Sequence, residues 1–373
     1  VDSDLILIIV VAAALAFDFT NGFHDTANAV ATSVSTYALS PKIAVLLASI
    51  LNFVGAFISL KVAATVGSGI VESGAATTTV VFAGLVGAIS WNLITWWFGL
   101  PSSSSHALIG GLVGATLAAA GTSGVDFQGL IDKVIVPGLV APVLAFGVAG
   151  AAILIAYGIC GRLRPGPVNR GFRLGQLVSG SMFSLAHGTN DAQKTMGIIT
   201  LALVAHGNLP ATGFDVPVWV IVSSATAISL GTYSGGWRII KTMGSKIIKM
   251  DPAQGFSAQG AGAAVILTAS HLGYPLSTTH VSTGGIMGAG AAKRLSAVRW
   301  GLASNIAIAW VLTLPAAAII GAAAYGVTAI FGSGAAGPMV VTVCGIMLLL
   351  AVFGRRFQGR RQLAAASAAG STS

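Results

Sequence analysis

Gly22-Phe23-His24-Asp25-Thr26-Ala27-Asn28 and Gly188-Thr189-Asn190-Asp191-Ala192-Gln193-Lys194 are two versions of one segment, 166 residues apart. Each places a carboxylate inside an apolar run. A second pair, Gly99-Leu100-Pro101-Ser102-Ser103-Ser104-Ser105-His106 and Gly273-Tyr274-Pro275-Leu276-Ser277-Thr278-Thr279-His280, lies 174 residues apart. Gly110, Gly111 and Gly114 follow the first copy as Gly284, Gly285 and Gly288 follow the second. Two matches in the same order mark an internal duplication.

The rest of the chain sets the environment of these segments. Of 373 residues, 55% are hydrophobic and only 8% charged, with a mean hydropathy of +0.87. A soluble domain carries about 25% charged residues. So few charges could not coat a water-facing surface, which excludes a cytosolic enzyme, a disordered chain and a nucleic-acid binder. An all-α polytopic membrane protein is left, with the lipid bilayer as its surroundings. Apolar runs of spanning length fall near 4–19, 42–64, 78–98, 102–120, 137–160, 174–204, 217–236, 256–272, 276–291, 300–325 and 338–353. Cys160 and Cys344 read as small core residues. Asp2 and Asp4 stand where a signal peptide would carry basic residues, so no cleavable leader is expected.

The net charge of +9 sits in short clusters between the runs: Arg162–Arg173, Arg238–Lys249, Lys293–Arg299 and Arg355–Arg361. Such clusters mark cytoplasmic loops. Counting crossings back from them puts the C-terminus in the cytoplasm and the N-terminus outside. About five spans per half is an odd number, so the halves take opposite orientations, as inverted-repeat transporters do. We therefore expect an N-terminal repeat over 1–165 and a C-terminal repeat over 166–330. An extra transmembrane helix with a basic tail would occupy 331–373. Asn21-Gly22 and His187-Gly188 read as breaks in their helices, and the Ser/Thr segments as turns of re-entrant hairpins.

Asp18, Asp25 and Asp191 lie at membrane depth, where an ionisable group is functional by default. Spacing of three puts Asp25 with Asn28, and Asp191 with Lys194, on one helix face. Carboxylate plus amide oxygen suits a hard cation such as sodium. Lys194 stands where the other copy has Asn28, so its ammonium could replace a second sodium and point to proton coupling. The runs opening at Ser102 and Ser277 offer helix N-termini with added hydroxyls, a cradle for a tetrahedral oxyanion. Alone, each run reads as plain helix capping; the duplication favours the anion reading. His106 and His280, one turn into their helices, would orient the hydroxyls.

These segments resemble the PiT family of inorganic phosphate transporters. The match rests on residues 22–32 and 187–197 and extends over roughly residues 15–325. The resemblance implies inward symport of inorganic phosphate across a bacterial plasma membrane, coupled to H+ or Na+. It also implies carriage of phosphate as a neutral complex with Mg2+ or another divalent metal in some members. By position, Asp25 and Asn28 would form one cation site and Asp191 with Asn190 its counterpart, with Asp25, Asn28 and Asp191 the metal-type ligands. Ser103, Ser104, Ser105, Ser277, Thr278, Thr279 and Gln193 would face phosphate. No covalent cofactor is implied, and a homodimer is a further partner to test. The competing readings are an oxyanion channel, a sulfate-type permease and an intramembrane Ser/His hydrolase. The last is disfavoured because adjacent helical residues such as Ser105 and His106 do not face each other.

Overall fold

The computed structural model describes residues 2–72, 74–210, 214–332 and 334–352. The basic cluster Arg355–Arg361 lies outside the described residues. The first half supplies α1 (Asp2–Ser35), α2 (Pro41–Gly55), α3 (Lys61–Ser68), α4 (Thr78–Phe98), α5 (Ser104–Ala120) and a short α6 (Phe127–Leu130). A π-helical turn joins α6 to α7 (Val136–Cys160). The second half supplies α8 (Pro165–His206), α9 (Val218–Ser234), α10 (Trp237–Lys241), α11 (Pro252–Leu272), α12 (Thr278–Lys293) and α13 (Trp300–Ile330). An apolar α14 (Ala336–Val352) follows. Five helical stretches among the described residues are long and apolar enough to cross a membrane: Asp4–Ser35, Thr78–Phe98, Ser104–Gly124, Phe127–Cys160 and Trp300–Ile330.

The distribution of side chains is inside out. Val143 and Val311 are 70% and 74% exposed, whereas Asp18, Asn21, His24, His187, Asn190 and Asp191 are fully buried. Apolar exposure on this scale belongs against lipid, because water would penalise it.

α1 and α8, which carry the duplicated Asp segments, pack antiparallel. Asp4 lies 3.7 Å from His206, near the end of α8, while Thr36 donates to Gln176, near its start. The apolar core divides into two clusters along this axis. On α1, Phe17 belongs to one and Ala27 to the other; on α8 the change falls between Ala186 and Ala192. A polar layer separates the clusters at the depth of Asp25 and Asp191. Both sequence halves contribute to both clusters, so the repeats interlock rather than stand side by side.

The expected breaks in the Asp-bearing helices are not found. α1 and α8 run unbroken through Asn21-Gly22 and His187-Gly188. A glycine inside a helix costs only about 1 kcal/mol, and here close packing offsets it. A methyl group at Gly188 would strike the Asn52 backbone, and one at Gly22 the Ile228 carbonyl and the Thr232 amide. The chain breaks instead in the partners of these helices. Residues 56–60 separate α2 from α3, and Gly235, at φ +73°, separates α9 from α10.

α4 with α5, and α11 with α12, form two hairpins that enter from opposite ends. The first has its base at Glu72, whose amide donates to Gly124; the second has its base at Asp251, which pairs with Lys293. Each inner helix is gripped by the last long helix of the other half. Gly110 and Gly114 of α5 abut the Leu314 and Ala318 carbonyls of α13, and Gly284 and Gly288 of α12 abut the Pro142 and Phe146 carbonyls of α7. These glycines serve close helix approach.

Candidate functional site

The hairpin tips meet α1 and α8 in the polar layer. Asp25, 2% exposed, accepts hydrogen bonds from Ser104 Oγ at 2.7 Å and from His24 Nδ1 at 2.6 Å. Thr279 Oγ1 reaches the same carboxylate oxygen as His24, at 3.4 Å. Asp191 accepts from Thr278 Oγ1 at 3.0 Å and forms an ion pair with Lys194. Thr278 also lies 3.5 Å from Asp25, so one hydroxyl bridges the two carboxylates. Asn28 donates to Thr278 and Thr279 at 3.2 and 3.0 Å.

Lys194 completes the tip-to-tip contact. Its ammonium donates to Asp191, to Ser105 Oγ and to the Leu276 carbonyl. An ammonium has three donors, and all three are engaged. Ser105 in turn donates to the Leu276 carbonyl at 3.1 Å. Buried and fully bonded, Lys194 neutralises one of the two paired carboxylates and ties both hairpins to α8.

The sequence places His187 beside the Asp191 motif, among five histidines of which some could relay protons, but does not assign it to the cation site. Asp25, His187 and Asp191 each offer a ligand atom within 4.8 Å of the others. The tautomer of His187 follows from its partners. Thr232 Oγ1 donates to the Ile228 carbonyl, so it accepts from Asn52 Nδ2 at 2.8 Å. Asn52 Oδ1 therefore accepts from His187 Nδ1 at 3.1 Å. In the neutral ring this leaves the Nε2 lone pair facing Asp191 Oδ2 at 3.0 Å. Two acceptors at hydrogen-bond distance call for positive charge, which a proton on Nε2 or a cation bound by both atoms would supply. Asn28 Oδ1 and Asn190 Oδ1, both buried, also lack a hydrogen-bond partner. The donor set fits a small cation held by carboxylate and amide oxygens, with one imidazole nitrogen. The spacing of four between His187 and Asp191 was a readable signal for this pair; Asn52, from a distant helix, was not.

Some expected residues are placed elsewhere. Ser103 and Ser277 cap α5 and α12, accepting from the His106 and His280 amides at 3.1 and 3.3 Å. Gln193 is turned to α3. Its oxygen accepts from the Val62 and Ala63 amides at 2.8 and 3.2 Å, and its nitrogen donates to the Thr189 carbonyl. Asn190 donates to Ser270 and to the Tyr274 carbonyl, which holds the second hairpin. The His106 and His280 rings do not orient the hydroxyls. They pack edge to face on each other at 4.8 Å, and His280 stacks on Trp310 at 4.1 Å.

The pattern of the phosphate transporter family matches residues 21–169 and again residues 161–321. The chain belongs to this family. Its members are transporters rather than enzymes, and the double match is the duplication seen in the sequence. The chain is 52% identical over 327 residues to a probable low-affinity inorganic phosphate transporter of Mycobacterium tuberculosis (strain ATCC 25618 / H37Rv), covering 88% of this chain and 78% of that one. A protein of the same description from Bacillus subtilis is 48% identical over 326 residues, covering 86% and 96%. Among solved structures, one described as the sodium-dependent phosphate transporter superposes with a TM-score of 0.78 at 26% identity, covering 86% of this chain and 98% of that one. The transporter is thus an integral, multi-pass membrane protein.

Proposed function

We propose that this transporter imports inorganic phosphate by cation symport, using an inverted repeat whose two re-entrant hairpins meet at the substrate site. The observation that carries the reading is the competition for hydroxyl protons in the polar layer. Ser104, Thr278 and Thr279 each have one proton to donate, and each points it at Asp25 or Asp191. A cation bound to these carboxylates takes over the oxygens and frees the hydroxyls. The freed hydroxyls, at helix starts with positive dipole ends, then face an oxyanion. Cation and anion binding become interdependent, which is the requirement for symport and not for a channel. Asp25, Asn28, His187, Asn190 and Asp191 would hold the coupling ion; Ser104, Ser105, Thr278 and Thr279 would hold phosphate. The antiparallel α1 and α8, and hairpins entering from opposite ends, support opposite orientations for the halves. Three basic clusters gather at the Asp251 end, which we assign to the cytoplasm.

The test is uptake of labelled phosphate into proteoliposomes under a sodium gradient and a pH gradient applied separately. Each is run with and without magnesium, which separates free phosphate from a metal–phosphate complex. Uphill uptake under either gradient supports the reading; equilibration without concentration identifies a channel, and preference for sulfate a different permease. Ser104→Ala with Thr278→Ala removes two donors. At about 1–3 kcal/mol for each, the half-saturation concentration should rise at least about tenfold; an unchanged value removes the helix-start site. Lys194→Asn restores the residue of the other repeat and leaves a place for a mobile cation. Its uptake should become more dependent on sodium, and unchanged ion dependence would make the lysine a scaffold alone.

A further inference from the structure

We propose that Asp18, Asn21 and Thr195 form a second cation-binding position, beside the Asp25–Asp191 cluster but distinct from it. It takes one unit of positive charge, as a sodium ion or as a proton on Asp18. The proposal rests on reading the chain as a cation-coupled transporter.

Asp18 is fully buried on α1, and neither of its carboxylate oxygens has a hydrogen-bond partner. Asn21, one turn along the same helix, is equally buried, and both atoms of its amide lack partners. Thr195 of α8 is buried with its hydroxyl oxygen unpartnered. Asn21 and Thr195 are the polar neighbours of Asp18, and Asp191 and Lys194 are the charged groups that act on it. A carboxylate, an amide and a hydroxyl from two helices are thus gathered at one buried position, within reach of weak polar contact but without a hydrogen bond of full geometry among them.

A buried carboxylate without a partner is among the costliest arrangements in a protein. Lys194 is the nearby cation, but its three donors are committed to Asp191, Ser105 and Leu276. Asp191 adds a second negative charge. Neutralisation of Asp18 must therefore come from outside the chain. Sodium would bind the four oxygens directly. A proton would convert Asp18 to a donor toward Thr195 or Asn21.

The position is not repeated in the second half. At the same offset Asp18 corresponds to Ser184, whose hydroxyl donates to the Gly180 carbonyl at 2.9 Å, and Thr195 corresponds to Ala29. The extra acid belongs to the first half alone. It would supply one cation beyond those the duplicated carboxylates bind, with Lys194 and Asp191 linking it to the substrate layer.

The test uses the purified full chain in lipid nanodiscs and proteoliposomes, comparing wild type with Asp18→Asn and with Thr195→Val. In nanodiscs, sodium bound per chain is measured by equilibrium dialysis, and infrared difference spectra between acid and alkaline buffer report protonated buried carboxyls. If the occupant is sodium, Asp18→Asn binds one ion fewer. If it is a proton, a carboxylic C=O band of the wild type disappears in Asp18→Asn and survives in Asp25→Asn. In proteoliposomes the number of cations moved per phosphate should fall by one. Thr195→Val keeps the carboxylate and should weaken half-saturation by the same cation at least several-fold, which also serves if Asp18→Asn does not fold. Unchanged sodium binding, infrared bands and cation-to-phosphate ratio in the variants overturn the proposal. The binding readouts need no transport, so they decide the matter even if the wild type carries no phosphate, a result that overturns only the symport reading.

Discussion

Asp25→Asn should reduce gradient-driven phosphate uptake by a factor of about 100 or more while the protein still folds. The carboxylate is surrounded by donors: His24 Nδ1, Ser104 Oγ and Thr279 Oγ1 all point at it. An amide loses the charge a coupling cation needs and turns a donor toward other donors. Removing one charge from a buried pair costs about 3–5 kcal/mol, which at 1.4 kcal/mol per decade is a factor of hundreds in cation affinity. Asp25 is a better probe than Asp191, because Asp191 also holds the buried Lys194 ammonium and its loss would strand that charge. The measurement is labelled uptake in proteoliposomes, with size-exclusion elution to confirm folding. Uptake at the wild-type rate would remove Asp25 from the coupling site.

The second large effect is on stability. Gly188→Val puts a side chain where the Asn52 backbone already lies, with its Cα 2.6 Å and carbonyl carbon 2.8 Å from the position of the first added carbon. Backbone cannot give way as a flexible side chain can. Overpacking of this kind costs about 1–3 kcal/mol and more when both partners are helices held on other sides. Asn52 also fixes His187, so the shift reaches the site. We expect a markedly lower melting temperature in detergent and loss of monodisperse protein, read by fluorescence-detected elution across a temperature series. A melting temperature equal to wild type would mean that α2 and α8 are free to separate.

The sites of helix interruption show why part of the fold was hidden. Asn-Gly and His-Gly inside apolar helices look like breaks from local propensity. Whether a glycine breaks a helix or admits a neighbour depends on what packs against it, and α9 and α2 lie 206 and 136 residues away from Gly22 and Gly188 respectively when measured at Ile228 and Asn52. The Ser/Thr runs divided in the same way. Local spacing showed both capping and anion binding as options. The structure gives Ser103 and Ser277 to capping and presents Ser104, Ser105, Thr278 and Thr279 to the carboxylates and Lys194. Gln193 shared a motif with Asp191 but points to α3, because a helix turns each successive side chain by 100°.

The sequence by itself determined the membrane setting, the duplication and the identity of the buried charges. Those follow from composition and from the high cost of an ionisable group in an apolar medium, both of which are properties of residues rather than of their arrangement. Only the tertiary structure decided that Asp25 and Asp191 share a layer, that one threonine bridges them, and that Asn52 turns the His187 lone pair toward Asp191. These depend on hydrogen bonds between residues far apart in the chain. A hydrogen bond forms only within a few tenths of an ångström and a narrow range of angles, and that precision comes from helix packing that no local pattern records.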